Sequence, residues 1–346
     1  MKKPLMATLI AVLATLSLSI SLPASALTLK VATLSPKGSY WMKTMEAANK
    51  QIQEKTAGRV KFQFYPGGIM GTDAAVMKKI KIGQLHGAAL SGGAFNGMVK
   101  GSQVYSLPRI MTSYGEVDAV RKKLDKDVRQ SFEDSGWVNF GLAEGGFAYL
   151  MSKNAVPDVR LLAKQKVWVP TDDPASEAAA DLIGVAPIPL SLGDVLAGLQ
   201  TDLINAVFAS PIAAIALQWH TQVEYLTDVP LVYFYATLTI KSKAFNRISP
   251  EDQKIVRKIM EEAFKTIDKQ NRKDNEAAFA ALKNQGIKVL NPSSKEIADW
   301  NRKTAQTTKK LVDQSKVDKV LYDKVEAILT DYRKTPSTAT TATAPQ

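Results

Sequence analysis

Cysteine is absent from the 346 residues, and histidine occurs only twice. Without a thiol there is no disulfide framework, no thiolate metal site and no cysteine nucleophile. His86 and His220 stand apart from any ligand-like cluster, so an ordinary packed or surface role suits them better than catalysis. Phosphate cradles are lacking too. Gly67-Gly68 and Gly92-Gly93 occur without a Gly-x-Gly-x-x-Gly repeat or a following Lys-Ser/Thr. Asp172-Asp173 is a candidate carboxylate pair or metal site, but a helix cap ahead of Pro174 explains it more economically. These absences point away from an enzyme and call for no metal and no cofactor. Beyond the first 26 residues no apolar run is long enough to cross a bilayer. The formal charge of +12 is spread over amphipathic helices mixed with Glu and Asp, and no basic run carries interleaved aromatics. Such faces are solvated, and no nucleic-acid partner is expected.

What is present begins with a leader. Lys2 and Lys3 precede the apolar run Leu5–Ile20, which ends in Leu22-Pro23-Ala24-Ser25-Ala26. That order is a secretory signal over 1–26, with no stable membrane insertion once it is cleaved and a periplasmic destination for the rest. The remaining length suffices for two domains. Strands are expected at Leu27–Thr33, Val60–Tyr65, Leu85–Leu90 and Trp137–Ala143. Helices are expected at Tyr40–Thr56, from Thr72 or Asp73 to Ile82, and at Ser113–Ser135. The chain from Val167 to Pro211 alternates strand (Val167–Val169), helix (Pro174–Ile183), strand (Ala186–Pro189), helix (Leu192–Gly198) and strand (Asn205–Ala209). That alternation calls for a parallel sheet flanked by helices, with ligands outside the carboxyl ends of its strands. Ser249–Gln285 reads as one helix, capped by Ser249 with Pro250 at its first position and Ile255, Ile259, Ala263, Phe264 and Ile267 as its apolar face. At 1.5 Å per residue it would be roughly 55 Å long, more than one small domain needs. Two amphipathic helices follow at Ser293–Ser315 and Asp318–Thr335. The Thr/Ala/Pro tail at 336–346 cannot build a core and is expected to be disordered.

Several stretches occur in a familiar order. They are "TAGRVKFQFYPGGIMGTD", "KIGQLHGA", "SLPRI", "GWVNFGLAEGGFAYLMSK", "VWVP … IGVAPIPL … DVLAGLQTDLINA" and "SPEDQK". Their succession from about Leu27 to about Ser315 resembles the DctP-like substrate-binding proteins of TRAP transporters, the tripartite ATP-independent uptake systems. The resemblance implies a two-lobed α/β periplasmic binding protein fold with a hinge and a long bridging helix. Lobe I would comprise 27–145 and 236–272, and lobe II 146–235 and 273–335, with crossings near Gly145-Gly146 and Val232–Tyr235. It also implies capture of a small organic ligand between the lobes and delivery to the membrane permease subunits of a TRAP transporter. A carrier of apolar molecules in the envelope, built on the same fold without a transporter, is the other reading that these residues leave open.

Where the family carries an arginine that clamps a substrate carboxylate, two residues before the strand-ending proline, this chain has Trp168. A second family arginine after "Gly-Phe" is replaced by Ala148, and the family's polar pair after Asn205–Val207 by Phe208-Ala209. The expected pocket is therefore apolar and aromatic: Trp168, Phe208, Ala148, Phe147, Tyr40, Trp41, Phe95, Ala209, Trp219 and Ser210. Ser91, Asn96, Glu144 and Asp172 are the other polar candidates, and Arg109 of "LPRI" is a lesser candidate for an anion contact. Trp168 and Phe208 also have a plain reading as core residues, because aromatics usually pack.

Overall fold

A computed structural model describes residues 26–95, 97–171 and 174–334. The leader up to Ser25, the tail 336–346, Asn96, Asp172 and Asp173 lie outside the described residues. The chain runs β1 (Leu27–Thr33), α1 (Tyr40–Lys55), β2 (Val60–Tyr65), α2 (Asp73–Lys81), β3 (Gly87–Ser91), α3 (Tyr114–Asp134), β4 (Trp137–Ser152), α4 (Val159–Leu162), β5 (Val167–Pro170) and α5 (Pro174–Ile183). It continues β6 (Pro187–Leu190), α6 (Val195–Gln200), β7 (Ala206–Ala209), α7 (Pro211–Ala216), β8 (Tyr225–Lys241), α8 (Ser242–Phe245), α9 (Pro250–Asn284), β9 (Lys288–Leu290), α10 (Ser294–Asp313) and α11 (Lys319–Lys334).

Among the described residues nine strands lie in one sheet, ordered β2-β1-β3-β8-β4-β7-β5-β6 with β9 on β8. The two longest strands join its halves. β4 and β8 pair antiparallel from Trp137↔Lys241 to Ser152↔Tyr225. The carboxyl-terminal part of β8 carries β3, and through it β1 and β2 in parallel. Its amino-terminal part carries β9, while the end of β4 carries β7 and then β5 and β6. The sheet is thus a lobe I half and a lobe II half sharing two strands.

Trp137–Ala143 and Val232–Ile240 are predicted as short strands, but both extend well beyond those bounds. Gly145-Gly146 does not end β4, because its irregularities are absorbed as bulges rather than breaks. Leu192–Gly198 is not one helix either. A 3₁₀ turn at Leu192–Asp194 precedes α6.

Helices follow the apolar periodicity closely. Trp41, Met45, Ala48 and Ile52 of α1 are all buried and share one core with β1 and α9. α9 is unbroken over 35 residues, and Ser249 accepts the Asp252 N–H as its cap. Val256 and Met260 join Ala263, Phe264 and Ile267 on its buried face, Ile259 packs half-buried against the same core one turn before Ala263, and Ile255 is half-buried at the margin of the stripe. Arg59, at the start of β2, fixes the first turn of α9 with two 2.8 Å bonds to the nearly buried Asp252 carboxylate. The amino-terminal half of α9 packs in lobe I, while Phe279 and Leu282 pack in lobe II with Trp168 and Trp219. α10 starts with a capping box between Ser293 and Glu296.

His86 packs at the edge of β3, where its Nδ1 accepts the Lys30 N–H of β1 at 2.9 Å. That bond needs an unprotonated Nδ1. Burial, then the charges of Arg247 and Lys30, hold the imidazole below its ordinary pKa. The unfolded chain therefore takes up this proton more readily. The contribution is fully present above the unfolded value of about 6.5 and is lost as pH falls through the lowered folded value. Thermal unfolding at pH 7.5 and pH 5 should show a smaller acid loss for His86→Gln than for the parent. Equal losses would show that His86 does not titrate in this range.

Candidate ligand-binding cleft

The expected ligand site lies where strands end between the lobes. In lobe II, β7 sits between β4 and β5, with Tyr149 opposite Ala209 and Val167 opposite Ala206. This order places Ala148, inside β4, Ala209, at the end of β7, and Trp168, inside β5, on three neighbouring strands, with Ser210 just beyond β7. Pro170 closes β5, and Ser210 caps the start of α7, where Pro211 holds the first position. Side chains alternate across the sheet. Trp168, Val207 and Ala209 belong to the cluster with Trp219, whereas Val167, Val169, Ala206 and Phe208 belong to the cluster with Trp300. Trp168 and Phe208 therefore face opposite sides of the sheet.

Trp168 is 8% exposed and meets Trp219 edge to face, with ring centroids 5.1 Å apart. Its indole N–H donates to the Leu190 carbonyl at the end of β6, 3.0 Å away. The polar handle of this aromatic is thus spent inside the protein, leaving mainly its ring to offer. Ala148 is fully buried. Phe147 packs between Tyr114 and Tyr233 at the lobe crossing. The cluster holding Phe147 also receives Ala178, Ala179 and Leu182 of α5.

The remaining candidates are scattered. Phe95 is wholly buried against Phe132 and Trp137 in lobe I, and Trp41 is in the α1–α9 core. Tyr40 is exposed at the first turn of α1. It lines an open recess of about 400 Å³ with Lys265, Thr266, Lys269, Gln270 and Lys273 of α9. The other nine candidates do not line that recess. Among the polar candidates, Ser91 is exposed at the end of β3, and Asn96 and Asp172 fall outside the described residues.

Glu144 is drawn into a network that the sequence reading missed. Its carboxylate is 1% exposed and is held by Arg272 through contacts of 2.7, 3.1 and 3.3 Å. The Tyr233 hydroxyl donates to it at 3.2 Å. Burial pushes this phenol well above its ordinary pKa, so it stays a donor. Arg272 also grips Asp118 of α3 and lies over the Tyr114 ring. Arg121 of α3 binds Asp125, Asp268, the Leu142 carbonyl and the Tyr233 hydroxyl. The spacing of Arg121 and Asp125 on one helix was readable; partners on α3, β4, β8 and α9 were not. Arg109, with a φ of 51°, donates to Asn301 and the Pro230 carbonyl, and burial lowers its pKa. Arg109, Arg121 and Arg272 are all bonded to protein acceptors.

Among the described residues no group of His, Asp and Glu is arranged to hold a metal ion, and no helix is long and apolar enough to cross a membrane.

Two lobes sharing two long strands and one helix, with strand ends meeting between them, define a hinged binding protein. Residues 31–315 match the model of the bacterial extracellular solute-binding proteins, family 7, known as DctP, and the chain belongs to that family. It is a periplasmic solute-binding protein and not an enzyme. Among curated relatives, YiiZ of Salmonella typhimurium is 26% identical over 60% of this chain, which spans 64% of that protein. The 2,3-diketo-L-gulonate-binding periplasmic protein YiaO of Escherichia coli is 24% identical over 70% of this chain and 74% of its own length. The sialic acid-binding periplasmic protein SiaP of Vibrio cholerae is 22% identical over 80% and 87%. Solved TRAP periplasmic solute-binding proteins share the fold. One from Xanthobacter autotrophicus, with bound β-D-galacturonate, has a TM-score of 0.79 at 17% identity, covering 87% of this chain and 99% of that one. One from Ralstonia eutropha, with bound (S)-2-acetolactate, has a TM-score of 0.79 at 20% identity, covering 88% and 99%.

Proposed function

We propose that this protein captures a small organic solute with a substantial apolar or aromatic part and delivers it to a TRAP-type membrane permease. The observation that supports the reading is the make-up of three neighbouring strands, β4, β7 and β5, which carry Ala148, Ala209 and Trp168 and no charged side chain at those positions. A carboxylate there would find no free guanidinium among Arg109, Arg121 and Arg272, each already engaged. Burying it unpaired would cost several kcal/mol. An aromatic ligand covering ~150 Å² of apolar surface would instead contribute roughly 4 kcal/mol before ordering costs, at about 25 cal/mol per Å². Galacturonate and acetolactate, bound by the solved relatives, are both acids. The proposed specificity thus departs from theirs through Trp168 and Ala148. Phe208, on the far face of the sheet, supports the strand end from behind.

Lobe I (27–145 with 236–272) and lobe II (146–235 with 273–335) would close about the crossings at Gly145-Gly146 and Val232–Tyr235. Delivery is tested by deleting the gene and measuring uptake of the solute that copurifies with the protein. Lost uptake supports a transport role. Unchanged uptake of every solute it binds would favour an envelope carrier instead.

A further inference from the structure

At the lobe crossing the β4–β8 ladder is interrupted. Glu144 pairs with Tyr235 and Gly146 with Phe234, which leaves Gly145 as an extra residue in β4. A bulge strips the local backbone of ladder partners, and buried N–H and C=O groups require substitutes. Helix α9 supplies them. Asp268 Oδ1 accepts the Glu144 N–H at 2.6 Å. Asn271 Nδ2 donates to the Glu144 carbonyl at 2.7 Å, and Asn275 Nδ2 to the Gly145 carbonyl at 3.2 Å. The spacing 268, 271, 275 places all three on one helix face. Asn275 is 3% exposed. It donates as well to the Asn271 carbonyl, and its Oδ1 accepts the Ile212 N–H in the first turn of α7 at 3.4 Å. Gly146 lies against this carboxamide with a φ of +85°, and a Cβ there would come within 2.6 Å of Asn275 Nδ2. The same stretch of α9 is where the helix changes partners, from the lobe I core that ends at Ile267 to the lobe II core that begins at Phe279.

We propose that Asp268, Asn271 and Asn275 are positioning residues that fasten the bulged strand crossing to α9. β4 and α9 then turn as one hinge, and Asn275, through Ile212, carries that hinge into lobe II. The proposal rests on the two-lobed binding reading but is independent of which solute is bound.

The lack of native cysteine allows a clean test. Lys55→Cys on α1 and Lys164→Cys beyond α4 put spin labels on exposed sites of the two lobes. The ligand-free distance distribution is then measured for the labelled parent and for Asn275→Leu, which keeps the branched shape and removes both hydrogen-bonding functions. The expected result is a broader distribution, with the ratio of extended to compact populations changed about fivefold, the weight of one lost buried hydrogen bond. Lys269→Ala, exposed on the same helix, should superimpose on the parent. If Asn275→Leu does not fold, Asn271→Ala is read in the same way. Folded variants with parental distributions would overturn the hinge role even if they still bound solute. Failure of the binding reading would show separately, as no solute bound by the parent.

Discussion

Replacing Trp168 with alanine should weaken the protein's own solute by tenfold or more. The indole is the largest side chain of the proposed site, and its N–H is already committed to Leu190. What it can give a ligand is ring surface, worth a few kcal/mol when covered. The same substitution removes the edge-to-face contact with Trp219 and hollows the cluster with Val207 and Ala209. Large-to-small changes of buried tryptophan cost about 3–5 kcal/mol of stability. Binding must therefore be measured well below the unfolding transition, and Trp168→Phe separates the two effects by retaining an aromatic ring. Trp168→Arg should weaken the native solute too and give a gain for carboxylates. Unchanged affinity in folded Trp168→Ala would place the ligand elsewhere.

Arg272→Met should be the most destabilising change outside the cores. It leaves the Glu144 carboxylate, 1% exposed, with the Tyr233 hydroxyl in place of a doubly bonded guanidinium. Breaking a buried ion pair from one side costs about 3–5 kcal/mol, because the charge left behind has lost both water and partner. Asp118 also loses its partner, but it is 61% exposed and contributes little. Adding Glu144→Gln to Arg272→Met removes the stranded charge and should recover part of the loss. Urea unfolding of the single and double variants measures both terms. A single variant within about 1 kcal/mol of the parent would show that water replaces Arg272 at the Glu144 carboxylate.

The helices were legible because their information is local. Ser249, Pro250 and the stripe through Ala263, Phe264 and Ile267 specify α9 without reference to the rest of the chain. The alternation after Val167 specified the lobe II strands for the same reason. The length of β4 and β8 was not legible. Gly145-Gly146 reads as a stop, but the strand continues, its backbone there bonded by Asp268, Asn271 and Asn275 of α9, more than a hundred residues away. The adjacency of three candidate positions was legible too: Ala148, Ala209 and Trp168 lie on β4, β7 and β5, which are neighbours in the sheet. Composition alone could not separate Trp168 from Phe208, since a one-residue difference in register sends a side chain to the other face. Nor could it tell that Phe95 packs into a core by way of Phe132 and Trp137, or that Glu144 is spent on Arg272, since both depend on distant partners.

The most direct measurement is calorimetric titration of the mature protein, stripped of copurifying solute, with C4-dicarboxylates, 2-oxo acids, aromatic acids and neutral aromatics. An apolar cleft at Trp168 should bind a ligand with an aromatic or extended apolar part more tightly than any small dicarboxylate, and Trp168→Ala should reduce that binding at least tenfold. Tight binding of a small dicarboxylate that survives Trp168→Ala would contradict it.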